Sequence, residues 1–311
     1  MTVSLGPGAP VLAFDVGGTD LKSGLVTADG DIVGVQRTPT PVQPEHTEKA
    51  VLETITRLGA ELRQQHPEID PQAVGLIAPG VVDDDNGIGL FAENLNWQDV
   101  PFRDLTEKAF GLPASFTHDV RAAGEAEYRL GPASQYRNAL VVTIGTGIAG
   151  AIFIDGKPYA GEGYAGELGH SVIAPGGEPC ACGGRGCLEA IASAAAITRR
   201  YNRITSVPVP GAREVLERAR SGDTDAEAVW ITALDALGLG LSHATALLAP
   251  QVIVLGGGLA QAGDALFTPV RERLYSHLTF HRRPELMQAS IGQDAGLVGA
   301  AMRARAILET P

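Results

Sequence analysis

The strongest constraint on how this chain can fold is a local pattern that occurs twice. Val11-Leu12-Ala13-Phe14 runs into Asp15-Val16-Gly17-Gly18-Thr19, then into a second apolar stretch that ends at Asp29-Gly30. Leu140-Val141-Val142-Thr143-Ile144 runs into Gly145-Thr146-Gly147, then into Ala151-Ile152-Phe153-Ile154 and Asp155-Gly156. Each copy reads as strand, glycine turn, strand, Asp-Gly turn, because short apolar runs bounded by Gly and Asp-Gly mark hairpins. Gly17 and Gly145 hold equivalent places, and the two Asp-Gly turns lie at nearly the same separation. Two copies of one unit predict a duplicated two-domain protein with a cleft between its halves.

Composition agrees with that reading. The chain has 311 residues, 44% hydrophobic and 19% charged, which suits about two globular domains. Its net charge of −12 repels a phosphate backbone, so nucleic acid and anionic membranes are disfavoured as partners. The N-terminus lacks the basic and apolar regions of a leader, and no segment reads as a membrane span, so a cytoplasmic protein is expected. Helical spacing at 48–66 and 120–130 flanks strands at 74–77 and 114–118. Further helices are expected at 190–201, 212–221 and 225–248, then a buried strand at 252–255 and a closing helix at 296–308. Alternating strands and helices make the class α/β. The domains are expected at 1–118 plus 297–311, and at 119–296.

A turn of small residues exposes backbone N–H groups to a phosphate, and a Thr hydroxyl adds a donor. Two such turns can grip a polyphosphate from both sides. Asp15 leads the first, where a carboxylate holds Mg²⁺, usually through water. Singly, each turn is as readily a structural hairpin; the pairing favours phosphate. Gly256-Gly257-Gly258 either seats an adenosine or closes a tight β–α turn. That third cluster is not the GxGxxG dinucleotide fingerprint, and no GxxxxGK[ST] occurs, so hydride chemistry and Walker-type nucleotide binding lose support.

Cys180, Cys182 and Cys187 crowd into one short segment, a poor plan for a disulfide framework. With His170 they make one imidazole and three thiolates, a set for tetrahedral Zn²⁺. Four protein ligands leave no open position, so this zinc is expected to be structural. A shared metal would draw Glu167 and Glu189 towards one site, and the second nitrogen of a metal-bound imidazole stays free to hydrogen-bond a ligand.

Taken together, Asp15-Val-Gly-Gly-Thr19, Gly145-Thr146-Gly147, Glu167-Leu-Gly-His170 and Cys180-Ala-Cys-Gly-Gly-Arg-Gly-Cys187-Leu-Glu189 resemble the ROK family of sugar kinases. The resemblance covers essentially the whole chain and implies an actin/hexokinase-like (ribonuclease H-like) duplicated two-domain fold with an interdomain cleft. It implies ATP with Asp15, Gly17, Gly18, Thr19, Thr146 and Gly147 around the phosphates and Gly256–Gly258 near the adenosine. Asp119 matches the family's catalytic aspartate, which accepts the proton of the sugar 6-hydroxyl as that oxygen attacks the γ-phosphate. Read without the family, an Asp between strand and helix is more often an N-cap. Glu167, His170 and Glu189 match sugar-hydroxyl contacts, and Gly80 and Asn94 fall where relatives place residues beside the sugar. Trp97 offers either a stacking face or a packed aromatic. Many relatives read Asn-Asp-Ala-Asn around the aspartate, whereas this chain has His118-Asp119-Val120-Arg121. An imidazole at His118 can replace the hydrogen bond of an Asn to the sugar, which leaves the sugar's identity open. Asp20 stands where many relatives carry Lys or Asn and is given no role.

The resemblance implies an ATP-dependent hexokinase with Mg²⁺ at the nucleotide and structural Zn²⁺, first of all a glucokinase. N-Acetylmannosamine or N-acetylglucosamine kinase comes second. A sugar-responsive repressor of this family needs a helix-turn-helix extension, and only about ten residues precede the first strand. A sugar-binding regulator without kinase activity is expected to have lost the base or the first turn, and both are present. Polyphosphate is the alternative donor. A homodimer or homotetramer is expected by resemblance alone.

Overall fold

The strand β1 (Val11–Val16) sends Leu12, Phe14 and Val16 into one apolar cluster and Val11 and Ala13 into another, the alternation of a strand buried on both faces. In the computed structural model, which describes residues 4–43 and 45–309, β1 is the centre of a five-stranded sheet. It pairs antiparallel with β2 (Asp20–Val26), which pairs antiparallel with β3 (Ile32–Pro39). After α1 (Thr47–Gln65), β4 (Ala73–Ala78) pairs parallel with β1 on its other side. The chain next forms a small antiparallel sheet of β5 (Val81–Asp83), β6 (Ile88–Ala92) and β7 (Trp97–Val100), followed by α2 (Phe102–Phe110). Then β8 (Ala114–His118) completes the first sheet, parallel to β4, and leads directly into α3 (Asp119–Leu130).

The second half repeats this plan. Antiparallel strands β9 (Ala139–Ile144), β10 (Ile148–Ile154) and β11 (Lys157–Tyr159) form a triplet whose last turn has Asp155 and Gly156 both at positive φ, +50° and +83°. That is the type I′ geometry that matches strand twist. Helices α4 (Leu188–Ala192), α5 (Ala194–Ile204), α6 (Ala212–Arg220) and α7 (Thr224–Leu248) follow. Next, β12 (Val252–Gly256) pairs parallel with β9, and after α8 (Asp264–His277) β13 (Glu285–Gln288) pairs parallel with β12. The strand orders β3-β2-β1-β4-β8 and β11-β10-β9-β12-β13 are the same, so the doubled turn is a doubled topology.

Two compact units result. The first runs to Leu130 and adds Ala160–Tyr164 and the segment from Gln293; the second holds Gly131–Tyr159 and Ala165–Gly292. The sequence boundary at 118/119 would cut α3 from β8, whereas α3 stays in the first unit because the last helix, α9 (Ala295–Glu309), packs on it. A Cβ at Gly299 would stand 2.2 Å from the Ala122 carbonyl oxygen, and one at Gly75 2.0 Å from that of Ala300. Glycine at both places lets α9 lie against α3 and β4 together.

Two sequence expectations are corrected. The single helix expected at 190–201 is interrupted at Ser193, whose backbone is extended (φ −67°, ψ 155°) and whose hydroxyl accepts the Ala196 N–H at 3.0 Å to cap α5. The alanine-rich spacing on both sides hid that cap. In addition, α7 is long and apolar enough to cross a membrane by length and composition, with a mean hydropathy of 1.4. It packs against α4, α5, α6 and α8, and 56% of its apolar window is buried, as in a core helix.

Candidate active site

In the first unit two carboxylates stand at strand ends of one sheet, with β4 between them: Asp15 near the end of β1, and Asp119 at the start of α3 after β8. Their side chains are 16% and 25% exposed. Burial pushes each carboxyl from 3.8 to about 6. The Asp119 charge raises Asp15 further, opposed by Lys22, whose Nζ lies 3.7 Å from Oδ2. For Asp119 the opposing influences are the Val120 N–H, 2.6 Å from Oδ1, and the Arg121 charge.

The capping role falls to His118. Its Nδ1 accepts the Arg121 N–H at 3.4 Å, the bond an N-cap side chain makes to the third helical residue. An accepting Nδ1 places the ring proton on Nε2, which lies 3.4 Å from Asp119 Oδ1. Arg121 itself is buried and fully engaged. Its Nε and Nη2 grip both oxygens of Asp84 at 3.1 Å, while Nη2 and Nη1 donate to the carbonyls of Val82 and Gly163 at 2.9 and 3.3 Å. Thr117 donates to Asp84 Oδ1 at 2.6 Å. Asp84 escaped sequence reasoning: within Asp83-Asp84-Asp85 nothing distinguishes it from a solvated turn acid.

The first glycine turn is only partly open. Gly17 N–H donates to the Asp20 carbonyl at 2.9 Å, and Thr40 ties down the carbonyls of Gly17 and Thr19 at 2.7 and 2.8 Å. Gly17 thus closes the turn, and Asp20 enters through its backbone. The amides of Gly18 and Thr19 have no partner among the described residues. In the second unit, Gly145 N–H donates to Gly147 O at 2.9 Å, and Gly145 O accepts the Ala194 N–H at the head of α5 at 2.9 Å. Glu189 Oε2 accepts the Ile148 N–H at 2.8 Å, and a Cβ at Gly147 would stand 2.5 Å from that oxygen. Glu189 is therefore anchored to the glycine turn. Gly257, at φ +80°, brings the third glycine cluster against the backbone of Ile144, where a Cβ would fall 2.5 Å from the carbonyl oxygen. Gly256 ends β12, and Gly258 faces open space.

The metal ligands come together. One donor atom from each of His170, Cys180, Cys182 and Cys187 lies within 4.8 Å of all the others. Cys182 and Cys187 Sγ are 3.7 Å apart, and Cys180 Sγ is 3.6 Å from His170 Nδ1. A tetrahedral centre with Zn–S of about 2.3 Å has edges of roughly 3.7 Å, so the donors fit zinc. Burial pushes the Cys187 thiol up to about 12, while a backbone hydrogen bond from Gly184 lowers Cys182. His170 Nε2 points the other way, 3.9 Å from Glu167 Oε2.

Gly80 sits between β4 and β5 at φ +104°, where a Cβ would stand 2.3 Å from the Phe91 carbonyl oxygen, so backbone geometry alone demands glycine. Asn94 lies in the short 3₁₀ turn Glu93–Leu95, and its side chain is outside the described residues. Trp97 is 4% exposed and packs edge-on against Phe102, with centroids 4.8 Å apart. It is a core aromatic and offers no stacking face.

Comparison with known proteins agrees along the whole chain. The model of the ROK family matches residues 11–307. A glucokinase of Streptomyces coelicolor is 33% identical over 315 residues, covering 94% of this chain and 97% of that one. An N-acetylmannosamine kinase of Yersinia pseudotuberculosis is 33% identical over 303 residues, covering 96% and 99%. Among solved structures, a ROK hexokinase from Thermus thermophilus superposes with a TM-score of 0.83 at 32% identity over 97% of this chain and 100% of that one. A ROK glucokinase from Streptomyces griseus, in complex with glucose and AMPPNP, gives 0.82 at 30% identity over 96% and 100%.

Proposed function

This chain belongs to the ROK family and is a sugar kinase, and from that premise we propose that it transfers the γ-phosphoryl group of ATP to the 6-hydroxyl of a hexose, with glucose as the preferred acceptor. The observation that carries the reading is Asp119, a largely buried carboxylate with a pKa of about 6 at the head of α3. At pH 7 such a group is mostly ionised yet basic enough to take a hydroxyl proton. As the sugar O6 bonds to the γ-phosphorus, the bond from phosphorus to the bridging oxygen breaks, the proton passes to Asp119 and ADP leaves.

Asp15 would hold the Mg²⁺ of the nucleotide, which would neutralise charge on the β- and γ-phosphates. The free amides of Gly18 and Thr19, with Thr146 and Gly147, bind phosphate oxygens, while Gly256–Gly258 flank the adenosine. Gly17 supports this cradle by closing its turn. Glu167, Glu189 and His170 accept and donate hydrogen bonds to sugar hydroxyls, and Gly80, Asn94 and His118 are assigned to sugar binding as well. His170 Nδ1 and the thiolates of Cys180, Cys182 and Cys187 would hold Zn²⁺, which would fix the imidazole with Nε2 left free for a sugar hydroxyl.

N-Acetylmannosamine is the second reading, favoured by kinases of that sugar at the same 33% identity as the glucokinase. The deciding experiment measures ADP formation from Mg-ATP with glucose, mannose, glucosamine, N-acetylglucosamine and N-acetylmannosamine, beside Asp119→Asn. Glucose is expected to turn over best, and every activity to fall by about 10² to 10⁴ in the variant. Strong turnover of an acetylated sugar alone would transfer the assignment to that sugar. Activity undiminished in Asp119→Asn would remove Asp119 as the base.

A further inference from the structure

Beside the Cys180–Cys187 loop, within the second unit, lies a cavity of about 420 Å³ with three arginines in its wall. Arg185, Arg200 and Arg203 line it, and Glu178 is the one acid among the lining residues. Arg203 is paired, its Nη1 and Nη2 reaching the two Glu178 oxygens at 2.8 and 2.6 Å. Arg200 is drawn inward, where Nη1 donates to the carbonyls of Ile191 and Val229 at 3.0 and 3.5 Å. Burial holds its pKa below the usual guanidinium range, and no carboxylate bonds it among the described residues. Arg185 stands exposed on the bridge that Pro179 and Arg185 form, and its guanidinium meets no acid among the described residues.

Three cations against one anion leave a local excess of two positive charges in a chain whose net charge is −12. A withdrawn cation whose one nearby carboxylate, Glu178, is already forked to Arg203 is under-compensated, and an incoming anion relieves it. Two charges match a dianion, and guanidinium forks fit phosphate oxygens in pairs. The volume falls in the range of small-molecule sites and leaves room beyond one phosphate group.

We propose that this cavity binds a phosphate dianion, either inorganic phosphate or the phosphate end of a small phosphate ester, through Arg185, Arg200 and Arg203. None of these residues belongs to the transfer machinery assigned above, and the inference does not rest on the kinase reading. Glu178 connects the site to the metal loop, because its carbonyl accepts the Gly186 N–H at 2.8 Å, next to Cys187.

The test is calorimetric titration of the full chain as purified, with glucose and a non-hydrolysable ATP analogue kept saturating so that the transfer site is filled. Inorganic phosphate is titrated in one arm and glucose 6-phosphate in the other. One-to-one binding is expected in at least one arm, weakened about tenfold or more in Arg185→Gln and tightened in Glu178→Gln, where an opposing charge is gone. Arg185 makes no side-chain bond, so its variant is expected to keep the parent melting temperature. Tighter binding of the ester would show that the rest of the cavity holds its organic body; phosphate alone would show an inorganic anion site. No saturable heat in either arm, or affinities unchanged in both variants, would overturn the proposal.

Discussion

Asp119 is held in a protonation balance that opposes folding and suits proton transfer. With its pKa raised from 3.8 to about 6, the native state binds protons more tightly than the unfolded chain. Between about pH 4 and pH 6 stability therefore falls as pH rises, and it stays lower above that window. Asp119→Asn removes the penalty, which by this shift is at most about 3 kcal/mol. The variant is thus expected to melt several degrees higher than the parent at pH 7.5, with the gap closing towards pH 4, while turnover drops by about 10² to 10⁴. Thermal scans at the two pH values and one rate measurement check both halves; an unchanged or lower melting temperature at pH 7.5 would refute the burial argument. The same ionisation predicts that kcat/KM falls on the acid side with an apparent pKa of about 6, to which Asp15 also contributes. A rate that stayed flat down to pH 5 would mean that neither carboxylate has to be ionised. Arg121 answers to a different force, the geometry of its fork. Lysine cannot bridge both Asp84 oxygens and still reach the Val82 and Gly163 carbonyls, so Arg121→Lys is expected to lower stability by about 1–3 kcal/mol in urea titrations.

At the scale of elements, a metal held by the Cys180–Cys187 loop would couple two properties that are otherwise unrelated. His170 has Nδ1 beside the Cys180 thiol and Nε2 on the side that carries Glu167, so on the proposed reading the ligand that fixes the loop also aims the imidazole. Cys187→Ser, at a position only 1% exposed, is expected to abolish zinc binding of one ion per chain, lower the melting temperature and raise the sugar KM about 10–100-fold. Elemental analysis beside sugar kinetics measures both, and a zinc-free protein with its parent KM would sever the coupling. Much of this element was legible in the sequence because its ligands are close along the chain and their chemistry admits few partners. Asp119 was legible only through the family, since a strand-to-helix Asp is ordinarily a cap. That cap proved to be His118, and Asp84 went unseen, because both depend on which side chains meet in space. The break at Ser193 was hidden by alanines that suit a helix on either side of it.

The whole molecule is a duplication, and that too was legible, because each copy places a glycine turn at the same point of the same sheet order. Where the units divide was not, because α9 returns to the first sheet at the end of the chain through close approaches at Gly75 and Gly299. What the molecule adds beyond its elements is its field. A charge of −12 acts on every phosphoryl donor, but unequally. Mg-ATP brings a net charge of only about −2, whereas polyphosphate brings a long row of anions that the average field repels far more strongly. Screening should then separate the two donors. From about 0.02 M to about 0.3 M salt the Debye length shrinks from about 20 Å to about 6 Å, which hides most of the surface charge from the polymer. Polyphosphate is therefore expected to be at least about tenfold less efficient than Mg-ATP at low salt, by kcat/KM, and to gain on it as salt rises. The opposite slope, with polyphosphate strong at low salt and weakened by screening, would mean that a local row of cations overrides the net charge, and ATP would then lose its place as the assigned donor.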